Sequence, residues 1–486
     1  MKKLQYTTLF LVFSFCTLNI FAQNAVSEFT FYSKEKERQS DNIKLLETLD
    51  RHLGAWLDKN YALPEADDAL VLRAETEVLT KQYPKAYITL LRHKYEFPNS
   101  ANSTKAKDLL MQVLNKMPKA QKQTLQKAYE IKSVPKNTED RIAQFLSAAT
   151  KLEIKGTYQP LNEQYESFFA RFPVYDNKDK IELMIGDWER ANKNYQAAIM
   201  QYKKVYDIYP STKYKAASLR MLGDIYAGEL KDYNQASYYY NNVLKNFPNS
   251  IEIATTYHHL AIMNENQKDY PSAVDNITKA AEVYLKNAQK DKAYGAYLYK
   301  AELRNKRLKN YAGAVDTLNQ TAELFKTDAN KFTDAKNQAA EIYSSKLKDK
   351  YGELAAYESI TANYPDSALA PKAAYRSGEI YESLGQNDKA KEIYQKLIVK
   401  YPADAFATKA QKRLVRIEKN EQKAKTLKAA VAVAAPVAQQ ASKQAEQISQ
   451  PIISTQDDPI KKDTAIPNDL QEEEVEAEDI VMEVEE

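Results

Sequence analysis

The sequence is poor in three residue types that carry much of protein chemistry: it has one cysteine, four histidines and only 10 glycines in 486 residues. Because the single cysteine, Cys16, lies in an apolar run near the N-terminus, disulfides and thiolate metal sites are excluded for the rest of the chain. Scarce glycine beside 35 tyrosines argues against a sheet protein rich in tight turns. These absences, together with abundant alanine, lysine, glutamate and leucine, predict an all-α protein.

A strong charge of either sign is also lacking, since the formal net charge is +3. Binding to nucleic acid requires a concentrated basic face, and phosphate-cradling loops require closely spaced glycines, so neither is expected. The four histidines form no metal-binding motif, and two of them are adjacent, so they point in different directions from a helix. We therefore predict no cofactor, no metal site and no nucleic-acid partner. The histidines are His52, His93, His258 and His259.

The N-terminus has the pattern of a secretory signal. Two lysines precede an apolar run, Leu9–Phe21, and Ala22 is a plausible cleavage residue. A retained membrane anchor is the alternative, but the run is shorter than the roughly 20 residues that span a bilayer. Lipid attachment needs a small residue before the cysteine, whereas Phe15 precedes Cys16. We predict a signal peptide at 1–22, without lipidation, and export to the periplasm or cell envelope.

An aromatic residue followed by proline recurs along the chain, in phrases such as "YEFPNS", "KNFPNS" and "ANYPDS", and closes a helix each time. The successive prolines are 75, 37, 38, 117 and 37 residues apart. Because 75 is about two periods and 117 about three, these spacings predict a repeat of about 37 to 40 residues throughout. The prolines are Pro98, Pro173, Pro210, Pro248, Pro365 and Pro402.

Each period contains two amphipathic helices, most clearly in "YRSGEIYESLGQNDKAKEIYQKLIVKYP", residues 375–402. Its glycine, tyrosines, alanine and proline resemble a tetratricopeptide repeat in their order and spacing. The matching residues are Gly378, Tyr381, Ala390, Tyr394 and Pro402.

The length of the period and the phrase around its proline are similar to the BamD-like outer-membrane-assembly lipoproteins and to the periplasmic Tol-Pal coordinator family. The absence of a lipidated cysteine departs from the former. The resemblance implies a right-handed superhelical solenoid of about eight helical hairpins.

The domain organisation follows from the extent of these repeats. We predict a signal peptide at 1–22, an N-terminal helical cap at 23–64 and a repeat array at 65–404. A charged capping helix at 405–427 should cover the last apolar face of the array. An alanine-rich linker and an acidic tail should occupy 428–486, because the last 18 residues contain ten acids and no bases and bury almost nothing.

One pair of residues raises the question of an enzyme. Glu382 and Ser383 are adjacent, as are the glutamate and serine that lytic transglycosylases use for glycan cleavage. A catalytic glutamate of that kind needs a compact lysozyme-like domain that raises its pKa and encloses the sugar. No such domain flanks the pair, so we interpret it as part of a packing unit and keep a peptidoglycan-cleaving enzyme as the alternative.

The first helix of each repeat has a glycine or alanine at one position, which we call the small-residue slot and which is Gly378 in residues 375–402. In most repeats the residue after this slot is acidic. In the resembled family that position faces the concave side of the superhelix. We therefore predict an acidic stripe that binds basic or amide-rich segments of envelope proteins. The alternative is that acids are simply common at solvated helix positions. The binding candidates are Glu75, Asp187, Asp224, Glu302, Glu341 and Glu379, with Arg220 and Tyr375 beside them on first helices.

These observations favour a non-catalytic scaffold for protein–protein interaction in the cell envelope, with possible association with peptidoglycan or the outer membrane. An envelope organiser that recruits its partner through the acidic tail is a second alternative.

Overall fold

A computed structural model describes residues 21–448, except 132 and 153, and the side chains of this range as far as residue 429. Every regular element in these residues is helical, so the predicted all-α class is confirmed. Apart from residues 21 and 22, the predicted signal peptide lies outside the described residues, as does the acidic tail. None of the helices within them combines the length and apolarity needed to cross a membrane. The chain divides into two compact units, 1–377 and 378–486.

The larger unit begins with a cluster of helices around one central helix. These helices are α1 (21–38), α2 (Ile43–Asn60), α3 (Glu65–Leu79), α4 (Tyr83–Glu96), α5 (Ser103–Lys116), α6 (Lys119–Tyr129), α7 (Thr138–Thr150) and α8 (Tyr158–Arg171). Helix α4 contacts α3, α5, α7 and α8. Other helices pack on all its sides because its residues from Ala86 to Leu91 are all buried, and each of them is either apolar or hydrogen-bonded.

The rest of the larger unit is a stack in which successive helices, from α9 to α18, pack against one another. Each hairpin has a first and a second helix, as the repeat pattern predicts. The helices are α9 (Lys178–Ala191), α10 (Tyr195–Ile208), α11 (Lys215–Gly228), α12 (Tyr233–Asn246), α13 (Ile253–Asn266), α14 (Tyr270–Lys286), α15 (Lys290–Glu302), α16 (Tyr311–Leu324), α17 (Ala329–Ile342) and α18 (Lys350–Asn363).

The small-residue slot of the first helix sets the distance between the two helices of a hairpin. A Cβ atom on Gly186 would come within 3 Å of the ring of Tyr202, which lies on the second helix, and Gly223 is placed in the same way against Tyr240. In the first repeat the slot holds Ala74, and the facing position holds a smaller side chain, Leu90, with both residues fully buried. Glycine thus makes room for the tyrosine ring in these two hairpins, whereas the alanine slots Ala149 and Ala340 stand at the same spacing from the buried Tyr165 and Tyr357.

The turn between the helices of a hairpin has a left-handed residue that is almost always lysine. Lys193 has φ 64° and Lys268 has φ 63°, in a region that side chains other than glycine and asparagine rarely occupy. After Lys268 the N–H of Asp269 donates to the carbonyl of Asn264 at 2.8 Å, which closes the helix in a Schellman motif. The residues with this conformation are Lys81, Lys193, Lys231, Lys268, Lys309 and Lys348, with Ala288 between two hairpins.

Replacing Lys268 by glycine is expected to raise the free energy of unfolding by about 0.5–1 kcal/mol, because glycine adopts the left-handed conformation without a steric cost. The reciprocal change, Gly385→Ala, removes a glycine at φ 74° whose Cβ would enter open space, so any loss of stability there comes from the backbone alone. Thermal unfolding of both variants measures the two effects. A stability of Lys268→Gly equal to or below that of the parent chain contradicts the expectation.

Two first helices of the stack end in a π-helical turn, Leu303–Arg307 after α15 and Tyr343–Leu347 after α17. The slot residue Ala261 lies seven positions before the left-handed residue of its turn, whereas Ala301 and Ala340 lie eight positions before theirs. A π-turn contains one residue more per turn than an α-helix bonded in the usual way. It therefore absorbs the extra residue and leaves the position of the following turn unchanged.

The smaller unit begins within α19 (Ala370–Ser383) and continues with α20 (Asn387–Lys400) and α21 (Ala405–Ile448). Helices α20 and α21 pack together through α21 residues that include Ala410 and Leu414, which are buried. The predicted capping helix 405–427 is thus the first part of one longer helix, which continues without a break through the predicted boundary at 427.

Candidate functional site

A cleft in the repeat stack lies beside α11. It has a volume of about 400 Å³ and is bounded by the neighbouring first helices α9, α11 and α13, with one residue from α12. We call it the first-helix groove. Two of the predicted binding residues, Arg220 and Asp224, line it. The lining residues are Arg190, Arg220, Asp224, Ala227, Gly228, Tyr240, His259, Ile262, Met263 and Asn266.

Asp224 is the centre of the polar end of this groove, and its side chain is 8% exposed. It accepts hydrogen bonds from the hydroxyl of Tyr240 at 2.8 Å, from Arg220 and, at 2.6 Å, from Nδ1 of His259. Burial alone would raise the pKa of Asp224, but the hydrogen bond and charge of His259 and the charge of Arg220 outweigh it and hold the pKa below its usual value. The carboxylate is therefore ionised and already fully engaged.

The opposite end of the groove is apolar and open. Ile262 is 41% exposed, and Ala227 and Met263 lie beside it. Gly228 is exposed, and a Cβ atom there would contact nothing within 4 Å. Arg190 is one-third exposed and reaches Glu229 at 3.6 Å, so it forms a charged edge next to the apolar floor. This arrangement can accommodate an apolar side chain of a bound segment and donate hydrogen bonds to its backbone.

The acids of the predicted stripe all have partners within the chain. Asp187 accepts from the hydroxyl of Tyr202 at 2.7 Å, just as Asp224 accepts from Tyr240. Glu75 pairs with Lys36 and Lys105 at 2.8 and 2.7 Å. Of the remaining acids, Glu302 pairs with Lys306, Glu341 with Lys372 and Glu379 with Arg413.

The slot geometry explains the pairing in the tyrosine-bearing repeats. At Gly186 and Gly223 the glycine slot lets the tyrosine of the second helix lean across the first helix, so its hydroxyl reaches the acid one position further on. At Gly378 the hydroxyl of Tyr394 reaches the acid four positions further on instead. Only Arg220 and Asp224 among the predicted residues share the first-helix groove, while Tyr375 is half-buried on α19. The co-occurrence of glycine and a second-helix tyrosine was the available sequence signal that the tyrosine hydroxyl bonds an acid of the first helix.

Glu382 and Ser383, the pair that raised the question of an enzyme, are held by hydrogen bonds within the smaller unit. Glu382 accepts from the hydroxyl of Tyr394 at 2.6 Å and from Arg416 at 2.8 Å. The hydroxyl of Ser383 donates to the carbonyl of Ile380 at 2.7 Å. Glu382 thus joins α19 to α20 and α21, and this bond of Ser383 lies within α19, which agrees with the packing interpretation.

Sequence reasoning missed a second polar region, inside the N-terminal helix cluster. Arg73 contacts Asp50 at 2.8 Å and Glu163 at 3.2 Å, and Lys85 contacts Asp50 at 2.6 Å. Arg73, Lys85 and Glu163 line a cavity of about 320 Å³ between α2, α3, α4 and α8. We call it the N-terminal cavity. The only signal in the sequence was charge on helices that are otherwise apolar. Across the described residues, no group of three or more metal-ligating acidic, histidine or cysteine side chains is assembled.

The comparisons with known proteins agree with the repeat geometry. The sequence profile of the tetratricopeptide repeat matches residues 217–250 and 372–404. These two segments, which are the hairpin of α11 and α12 and the helices α19 and α20, are therefore similar to the tetratricopeptide repeat. The resemblance to the BamD-like and Tol-Pal coordinator families is not confirmed.

Several solved structures are similar in part. The type IV pilus biogenesis factor PilW is 14% identical over 49% of this chain and 100% of its own, with a TM-score of 0.27. A signal-transduction ATPase with a tetratricopeptide-repeat sensor, from Pyrococcus horikoshii, is 12% identical over 80% and 68%, with a TM-score of 0.32. Yeast Tom70 is 14% identical over 83% and 97%, with a TM-score of 0.26. No curated protein matches the sequence.

Proposed function

We propose that this protein is a non-catalytic scaffold that binds a partner polypeptide in the first-helix groove. The observation that carries the proposal is the open apolar floor at Gly228 and Ile262, next to charged side chains that the chain itself holds in place. Tetratricopeptide repeats form extended surfaces of this kind for protein ligands. Glu382 and Ser383 are engaged in packing, which favours a scaffold over a glycan-cleaving enzyme.

The side chains of the first-helix groove indicate which type of partner segment binds there. Since Asp224 is saturated by three partners, it attracts a basic segment less than a free carboxylate would. Arg190 and Asn266 stand at the open end and can bond to amide groups. The favoured ligand is therefore an amide-rich segment that places an apolar side chain on the floor beside Ile262. Charge reversal at Asp224 is a poor test of this proposal, because it would disrupt the buried network.

Replacing Gly228 by tryptophan is expected to lower partner binding at least tenfold, because the new side chain fills the open floor without touching the core. Gly295→Trp is the matched control: Gly295 is also exposed on a first helix with open space at its Cβ, but it lies outside the groove. Crosslinking in intact cells identifies the captured chains, and titration with the purified partner measures affinity. Equal affinity of the two variants for the partner would show that the partner does not bind in the first-helix groove.

We also propose that the chain is exported to the periplasm or cell envelope, on the basis of the charged and apolar pattern of residues 1–22. N-terminal sequencing of the protein from a periplasmic fraction should begin just after Ala22. A retained N-terminus in the cytoplasmic fraction would exclude export. Association with peptidoglycan or the outer membrane is a further step, which co-sedimentation with purified cell walls tests.

A further inference from the structure

The N-terminal cluster contains a buried group with an excess of positive charge. Arg92 and Arg171 are 1% and 5% exposed, and both contact Glu96, which is 2% exposed. Arg92 Nε donates to Glu96 at 2.8 Å, and Arg92 Nη1 donates to the neutral amide of Gln164 at 3.0 Å. Two guanidinium groups thus share one carboxylate in a site removed from water, where an uncompensated charge is costly.

The excess charge is concentrated on Arg92. Arg171 lies over the ring of Tyr61, with 4.3 Å from its Cζ to the ring centroid, and this contact offsets part of its charge. Nη2 of Arg92 is buried and has no hydrogen-bond partner among the described residues. A buried donor without a partner costs about 1–3 kcal/mol, and more when it is charged. Arg92 also lines the N-terminal cavity, so a ligand in that space can supply the missing acceptor.

The other charges around the cavity restrict what the ligand can be. Arg73 and Lys85 are balanced by Asp50 and by Glu163. Two further acids line the cavity: Asp58, which accepts from Ser167, and Glu166, which is exposed at the rim. One further base, Arg51, also lines it and is exposed. Because the lining carries charges of both signs, it matches a divalent anion such as phosphate less well than a ligand that carries both signs. A ligand with one carboxylate for Arg92 and an ammonium group for Glu166 fits the charges on both sides.

We propose that the N-terminal cavity binds a small zwitterion of amino-acid or dipeptide size, with its carboxylate on Arg92 and its ammonium group facing Glu166. The volume of about 320 Å³ is at the lower end of the range for small-molecule pockets, which suits a ligand of this size. This site is separate from the first-helix groove and does not depend on the proposed scaffold function. It adds a ligand sensor or ligand-stabilised element to the N-terminal end of the repeat stack.

The experiment uses the full chain and measures binding by calorimetry and thermal unfolding at fixed pH and ionic strength. The probes are L-alanine and glycylglycine, with acetate and methylammonium as the two half-ligands and inorganic phosphate as a divalent anion. Saturable binding of one of the zwitterions is expected, with a rise in Tm of about 2–4 °C at ten times its Kd. Affinity for each half-ligand should be at least tenfold lower. Binding of neither zwitterion, or acetate or phosphate binding as tightly as they do, overturns the proposal.

Two blocking variants locate the binding. Ala55 and Ala170 line the cavity on α2 and α8 and are exposed, so Ala55→Phe or Ala170→Phe occupies the space without breaking an ion pair. Each should abolish binding, whereas Ala120→Phe, at an exposed position on α6 outside the cavity, should leave it unchanged. Glu166→Gln should weaken zwitterion binding at least fivefold and leave acetate binding unchanged. Undiminished binding in both folded phenylalanine variants places the ligand elsewhere and refutes the site.

Discussion

Replacing Gly186 by alanine is expected to lower the free energy of unfolding by about 2 kcal/mol, although alanine is the better helix former. The added Cβ would lie within 3 Å of the ring of Tyr202, and this ring is fully buried, so it has no room to move. Urea denaturation of the full chain measures the change. Gly295→Ala is the control: its Cβ enters open space, so it should gain about 1 kcal/mol from helix propensity.

A double-mutant cycle separates steric conflict from other effects of the substitution. In a Tyr202→Leu background the slot resembles that of the first repeat, where Ala74 faces Leu90, so the cost of Gly186→Ala should nearly vanish. The tyrosine hydroxyl that is lost bonds to Asp187, which is exposed and can bond to water instead. A cost of Gly186→Ala that stays the same in both backgrounds would show that the tyrosine ring is not its cause.

Glu77 is expected to make the N-terminal cluster less stable as the pH rises from about 5 to 8. Burial raises the pKa of Glu77 to about 8 against the opposing charge of Arg73, with Asp50 adding to the rise. Arg73 Nε lies 3.4 Å from Glu77, but Arg73 is also paired with Asp50 at the shorter distance of 2.8 Å. Burial therefore outweighs the attraction of Arg73 and favours a neutral Glu77. Its Oε2 atom also has no hydrogen-bond partner among the described residues.

The direction of the effect follows from proton linkage. In the unfolded chain Glu77 releases its proton near pH 4.5, whereas the folded chain retains it to about pH 8. Between these values the folded state binds more protons, so the free energy of unfolding falls as pH rises, by a total on the order of 4 kcal/mol. Urea unfolding at a series of pH values should show this slope in the parent chain and a much flatter profile in Glu77→Gln. Parallel profiles for the two proteins would assign the slope to other groups.

The repeat fold could be predicted from sequence because its determinants are local. Pro402 ends a helix by its own chemistry, and Gly378 with Tyr381 and Ala390 marks the faces that pack, so spacing alone gives the hairpin. The π-turns could not be anticipated in this way, since one extra residue fits equally well in a longer loop. The hairpin of α11 and α12 takes that second route, with Leu230 in its turn.

The first-helix groove was harder to predict than the fold, because it depends on contacts between the ends of side chains that come from different helices. Asp224 lies on the first helix α11, but its partners Tyr240 and His259 come from two other helices. The N-terminal cavity has no repeat signal at all, since Arg92 and Glu163 meet around it only through contacts of α4 with α8 and of α2 with α8. Long-range packing of this kind leaves no periodic mark in a single sequence.

The two π-turns bear on how this array can change in length. Each one retains an inserted residue as a bulge while the slot and the next turn keep their places. Such a helix can accommodate the insertion or deletion of one residue, because the change alters only the local winding of the helix. Repeats of unequal residue count can therefore keep the same order of slot, turn and second helix.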